Sequence, residues 1–76
     1  MKDDSYMDKW IGIRKGFGQT WEIISYRGAV LKAGIYLSSY FDAYDYIRAY
    51  ASSWQGIRAV VLKEDGTEWE YPKKPS

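Results

Sequence analysis

Ser39-Tyr40-Phe41-Asp42-Ala43-Tyr44-Asp45-Tyr46-Ile47-Arg48-Ala49-Tyr50-Ala51-Ser52-Ser53-Trp54 carries the helical period of this chain, and its place between two groups of strands decides the fold. Ala43, Tyr44, Ile47, Tyr50, Ala51 and Trp54 recur at helical spacing and form one apolar stripe, with Asp45, Arg48, Ala49 and Ser52 opposite. The Ser39 hydroxyl followed three residues on by Asp42 is a capping start. The carboxylates of Asp42 and Asp45 suit the positive end of the helix dipole. The helix is expected to end before Gly56.

Upstream, the period changes to two. Lys9 to Lys15 reads as a strand with Trp10, Ile11 and Ile13, and Gly16-Phe17-Gly18 is a turn signal. Thr20 to Arg27 is a second strand, with Trp21, Ile23 and Ser25 on one side and Glu22, Ile24 and Tyr26 on the other. After Gly28, Val30 to Leu37 is a third, placing Leu31, Ala33, Ile35 and Leu37 opposite Lys32, Gly34 and Tyr36. Downstream, Ile57 to Lys63 is rich in β-branched residues. Asp65-Gly66 then reads as a two-residue hairpin turn into Thr67 to Tyr71. The expected fold is α+β: an antiparallel sheet of four to five strands, order β-β-β-α-β-β, with one helix packed on one face. Residues 1–8 read as a flexible acidic arm, 9–71 as a single domain and 72–76 as a basic tail.

Composition narrows the function classes. The chain has 76 residues, enough for one domain. Eleven basic and ten acidic side chains leave +1, so overall charge gives no reason for a nucleic-acid or membrane partner. There is no Cys, hence no disulfide, and no His, the commonest general base and metal ligand. No cofactor, metal or membrane is expected, no enzyme activity, and a cytoplasmic location is the better fit to a cysteine-free domain. The polar start, Met1-Lys2-Asp3-Asp4-Ser5, is unlike a signal peptide.

The segment from Trp21 to Tyr71 resembles a family of small uncharacterised bacterial and phage proteins of β-β-α-β form. The matching pieces are Trp21-Glu22-Ile23-Ile24, Gly28, Ala43, Ala51, Val60-Val61 and Asp65-Gly66. The resemblance implies a fold and brings no chemistry with it.

Among candidate sites, the pairs Asp42/Asp45 and Glu68/Glu70 suit a helix start and a solvated strand face better than acid–base catalysis. Gly12, Gly16 and Gly18 lead into a strand, not a helix, so they form a turn and not a phosphate cradle. The fourteen aromatics are the strongest lead, at 18% of the chain. One helix over one sheet can enclose Trp10 or Ile11, Trp21, Tyr44, Ile47, Tyr50, Trp54 and Trp69. Tyr26, Tyr36, Tyr40, Tyr46, Tyr71 and Phe17 are left over. Tyrosine, tryptophan and arginine carry interface energy, so a protein partner or second copy is expected at Ile24, Tyr26, Tyr36, Arg27 and Lys32 on the uncovered sheet face. By analogy with phage and mobile-element accessory proteins, such a module would inhibit a host defence complex. The alternative is single-stranded nucleic acid on a basic, aromatic face with Arg14, Lys15, Arg27 and Lys32.

Overall fold

The computed structural model describes residues 9–72. The arm at 1–8 and all but the first residue of the tail at 72–76 lie outside the described residues. Five strands and one helix follow in the expected order: β1 (Trp10–Lys15), β2 (Thr20–Ser25), β3 (Val30–Tyr36), α1 (Tyr40–Ala51), β4 (Arg58–Leu62) and β5 (Glu68–Trp69). They form an α+β domain whose single sheet runs β3-β2-β1-β4-β5.

The sheet is mixed, which corrects the expectation of a purely antiparallel one. β1 and β4 pair in parallel, Trp10 opposite Arg58 and Ile13 opposite Val61, while the other three pairs are antiparallel. Parity explains this. Two hairpins leave β3 running in the direction of β1, and one helix returns the chain so that β4 runs that way too. β4 then lies beside β1 in the sheet interior, which suits consecutive Val60 and Val61, one buried on each face.

The helix lies on the face made by Ile11, Ile13, Trp21, Ile23, Ile35 and Val61. Its own buried residues are Ala43, Ile47 and Ala51. Two of these three are alanines, so the helix axis can approach the sheet closely, and the larger Tyr40, Tyr44 and Tyr50 pack partly buried around it. Ser39 caps the start, its Oγ accepting from the Asp42 backbone N–H at 3.3 Å. The helix stops at Ala51. The backbone N–H and the hydroxyl of Ser52 both bond back to the Ala49 carbonyl, at 3.3 and 2.7 Å, tightening the last turn. Trp54 therefore falls outside the helix. It is 43% exposed and rests on Tyr50, not in the core as its spacing implied.

The opposite face is not bare. Ile24 and Val60 are both buried there. Gly12, opposite Ile24 and Val60 in the ladders, makes room for the Trp10 ring: a Cβ at Gly12 would sit 2.9 Å from Trp10 Cζ3 and 3.1 Å from Val60 Cγ2. Of Trp10 and Ile11, it is Ile11 that enters the main core.

The β4–β5 connection corrects a second expectation. Lys63 N–H donates to Thr67 C=O at 2.7 Å and Gly66 N–H to Lys63 C=O at 2.9 Å. The loop thus holds three residues, Glu64, Asp65 and Gly66. Only Gly66 has positive φ (+90°), whereas a two-residue type I′ turn also needs it at Asp65. The Asp65 carboxylate instead accepts from the Thr67 hydroxyl at 2.7 Å and the Thr67 N–H at 3.0 Å. Open space surrounds Gly66, so Gly66→Val tests backbone conformation alone. It should lower stability by more than about 1 kcal/mol in a urea melt, since a β-branched residue resists positive φ. A melt identical to that of the parent would contradict this loop geometry.

Those two bonds also hold the Asp65 carboxyl below its ordinary value of 3.8. A lowered folded value means that the stabilisation is present above the unfolded value and is lost as pH falls through the folded one. Below about pH 4 the parent should therefore lose stability more steeply than Asp65→Asn. Parallel urea midpoints for the two proteins across that range would refute the assignment.

Candidate functional site: the β3 edge

β3 ends the sheet, so among the described residues its outward backbone N–H and C=O groups have no ladder partner. Of its seven residues only Ile35 is buried. Two irregularities in its register with β2 explain why. Trp21 pairs with Ile35 and Ile23 with Lys32, so β3 carries one extra residue at Ala33-Gly34, where Gly34 takes φ +74°. A second slip follows, with Ile24 opposite Val30. Each bulge breaks the alternation, so the expected inner row of Leu31, Ala33, Ile35 and Leu37 is not continuous. The result is an edge strand that exposes Val30 (55%), Leu31 and Tyr36 (79%).

The residues singled out from sequence are distributed as follows. Ile24 is only 5% exposed and belongs to the small cluster on the far face, so it is not open to water as expected. Tyr36 stands at one end of β3. Tyr26 lies beyond the other end, in the three-residue loop Tyr26-Arg27-Gly28 between β2 and β3. Thr20, opposite Tyr36, and Ile24, opposite Val30, are four strand residues apart, about 13 Å. The expected Ile24–Tyr26–Tyr36 patch is therefore not one patch. What the fold does bring together is a line along the edge: Tyr26 and Arg27 at the loop, then Val30, Leu31 and Lys32, then Tyr36.

The four cations do not gather. Arg14 is held on the far face by Glu22, Nε to Oε2 at 2.7 Å. Lys15 is on the helix side, 3.6 Å from Glu64 Oε2 and 5.9 Å from the Trp21 ring centre. Arg27 lies over the Tyr26 ring at 5.5 Å in the loop at the opposite end of β2. Lys32, opposite Ile23, is on the helix side at the edge. Among the described residues, Arg27 and Lys32 have no carboxylate partner. No Asp or Glu occurs from Ile23 to Phe41, so the β2–β3 edge is locally positive.

At its Tyr36 end the edge borders a shallow depression of about 530 Å³ walled by Lys15, Gln19, Trp21, Tyr36 and Ser38. Trp21 closes its floor, its indole N–H donating to the Leu37 carbonyl at 3.2 Å. No model of a protein family matches this chain, and neither does any curated protein or solved structure. Among the described residues no three Asp or Glu side chains converge as a metal site would require. Within the same residues, no helix is long and apolar enough to cross a membrane.

Sequence reasoning missed the grouping of the leftover aromatics. Tyr40 and Tyr71 are not isolated surface rings: they join Trp21, Phe41, Tyr44 and Trp69 in one continuous cluster over β5 and the start of α1. Phe17 stays alone at the tip of the β1–β2 hairpin. The available signal was that Tyr40, Phe41 and Tyr44 sit in the first turns of a helix that must lie over the strand holding Trp69.

Proposed function

We propose that this chain is a non-catalytic protein-binding module that receives an extended segment of its partner along β3. The observation that carries the proposal is the seven-residue edge strand with Val30, Leu31 and Tyr36 exposed beside Arg27 and Lys32, which have no carboxylate partner among the described residues. Backbone bonds from an added strand would supply affinity, and side-chain contacts to the three apolar residues would supply selectivity. Arg27 and Lys32 favour a partner strand flanked by Asp or Glu. The bulge at Gly34 interrupts the ladder, which disfavours open-ended pairing of one copy on the next. In its narrower form the proposal is inhibition: a chain of this size acts by occupying a surface that its target needs, with no chemistry of its own. A nucleic-acid role would need the four cations on one face, and they are spread over two faces and two ends of the sheet.

Tyr36→Ala should weaken association with the isolated partner by about 2 kcal/mol, the size of an interface anchor. With so much of the ring in solvent, its effect on the melting midpoint should be small. Equal affinity of parent and Tyr36→Ala for a partner recovered with the parent would refute the β3 reading.

A further inference from the structure

β3 uses seven residues, Val30 to Tyr36, over the length that β2 covers with the five from Thr20 to Ile24. Leu31 and the Ala33-Gly34 pair take up the difference as bulges. Directly opposite residues of an antiparallel pair share a face, so β2 fixes the face of each β3 side chain. Lys32 and Ile35 lie with Ile23 and Trp21 on the helix side. Val30 and Tyr36 lie with Ile24 and Thr20 on the far side. Val30, Lys32 and Tyr36 are exposed, whereas Ile35 is buried. The ion pairs among the described residues engage Arg14, Lys15 and Arg58, and not Lys32.

A regular strand laid on the outside of β3 meets the same bulges that β2 meets on the inside, and so takes the spacing of β2. Its residues opposite Tyr36 and Val30 are then four apart, about 13 Å, and both point to the far side. Its residue opposite Lys32 adjoins the one opposite Val30 and points to the helix side. Antiparallel pairing is the more stable per residue, and it gives the added strand the direction of β2.

We propose that the partner segment pairs antiparallel to β3 and carries five residues in the order apolar, any, any, acidic, apolar, an inference that rests on the β3 reading above. The first apolar side chain packs on the Tyr36 ring and the second on Val30. The carboxylate of the fourth residue meets the Lys32 ammonium. The second residue lies over buried Ile35, and the third passes the Ala33-Gly34 bulge, which holds no charged side chain. Each cross-strand pair adds a modest amount, so selectivity comes from matching all three at this spacing. Within the 76 residues no five have this order, which disfavours a second copy as the occupant.

The experiment selects a displayed library of random nonapeptides in parallel on the full chain and on its Lys32→Glu and Tyr36→Ala variants. The parent is expected to enrich the five-residue order above. Lys32→Glu should replace the acidic fourth residue by lysine or arginine, a gain that an unfolded protein cannot mimic. Tyr36→Ala should lose the apolar preference at the first residue and keep the acid at the fourth. An enriched peptide titrated in solution should shift the amides of residues 30–36 and bind Lys32→Glu about threefold more weakly than the parent. An acid enriched at another spacing, the reversed order, or the same acid enriched by Lys32→Glu would overturn the motif. If such peptides still shift β3 amides, the edge reading survives that failure. No enrichment, or shifts away from β3 only, would overturn both.

Discussion

Trp21→Ala is expected to remove about half of the folding stability of the chain. The indole is fully buried between β1 and β3. It donates to the Leu37 carbonyl and meets Tyr40 edge-on. Truncation removes burial, the aromatic pair and the hydrogen bond, leaving that carbonyl without the indole donor. Loss of so large a buried side chain costs about 3–5 kcal/mol. At roughly 0.1 kcal/mol of stability per residue, about 8 kcal/mol for this length, the loss is about half of the whole. Thermal melting followed by circular dichroism should then show a midpoint lowered by more than about 10 °C. A sharp transition within a few degrees of the parent would mean that Trp21 is not the keystone of the β2–helix contact.

Ile47→Ala is expected to cost about 2–4 kcal/mol, by lost burial plus the cavity left under the helix. Ile47 has no solvent exposure and lies between Ala43 and Ala51, whose small side chains cannot fill the gap. Ala49→Ser, on the exposed side, should be nearly neutral and serves as the control. Equal urea midpoints for the two variants would place a different helix face on the sheet.

These two positions show what the residues of the chain reveal unaided. The helix was legible because Ala43, Ile47 and Ala51 keep one period and Ser39 supplies the cap. Its end was not, because Trp54 keeps the same period while Ser52 closes the last turn by bonding back to Ala49. The strands were legible from their alternation, and their order from the single helix between two strand groups. Parallel pairing of β1 with β4 follows from counting reversals, not from any local residue pattern.

The site was less legible than the fold. Strict alternation put Ile24, Tyr26 and Tyr36 on one open face. The bulge at Gly34 shifts β3, and Gly12 admits the Trp10 ring to the far face, where Ile24 is buried. A glycine in a strand signals one of these two events without saying which. The aromatic cluster was hidden for another reason. Tyr40 and Tyr71 are 31 residues apart in sequence, and only the sheet order brings β5 under the start of the helix.

The edge reading is tested most directly by photo-crosslinking in living cells of the native host. A photoreactive phenylalanine analogue is placed singly at Val30, Tyr36 and, as a control on the exposed helix side, Ala49. The expected result is one discrete higher-mass adduct from positions 30 and 36, sensitive to protease, resistant to nuclease and absent from position 49. A nuclease-sensitive adduct, or the same adducts from all three positions, or none from β3, would contradict binding of a protein partner along that edge.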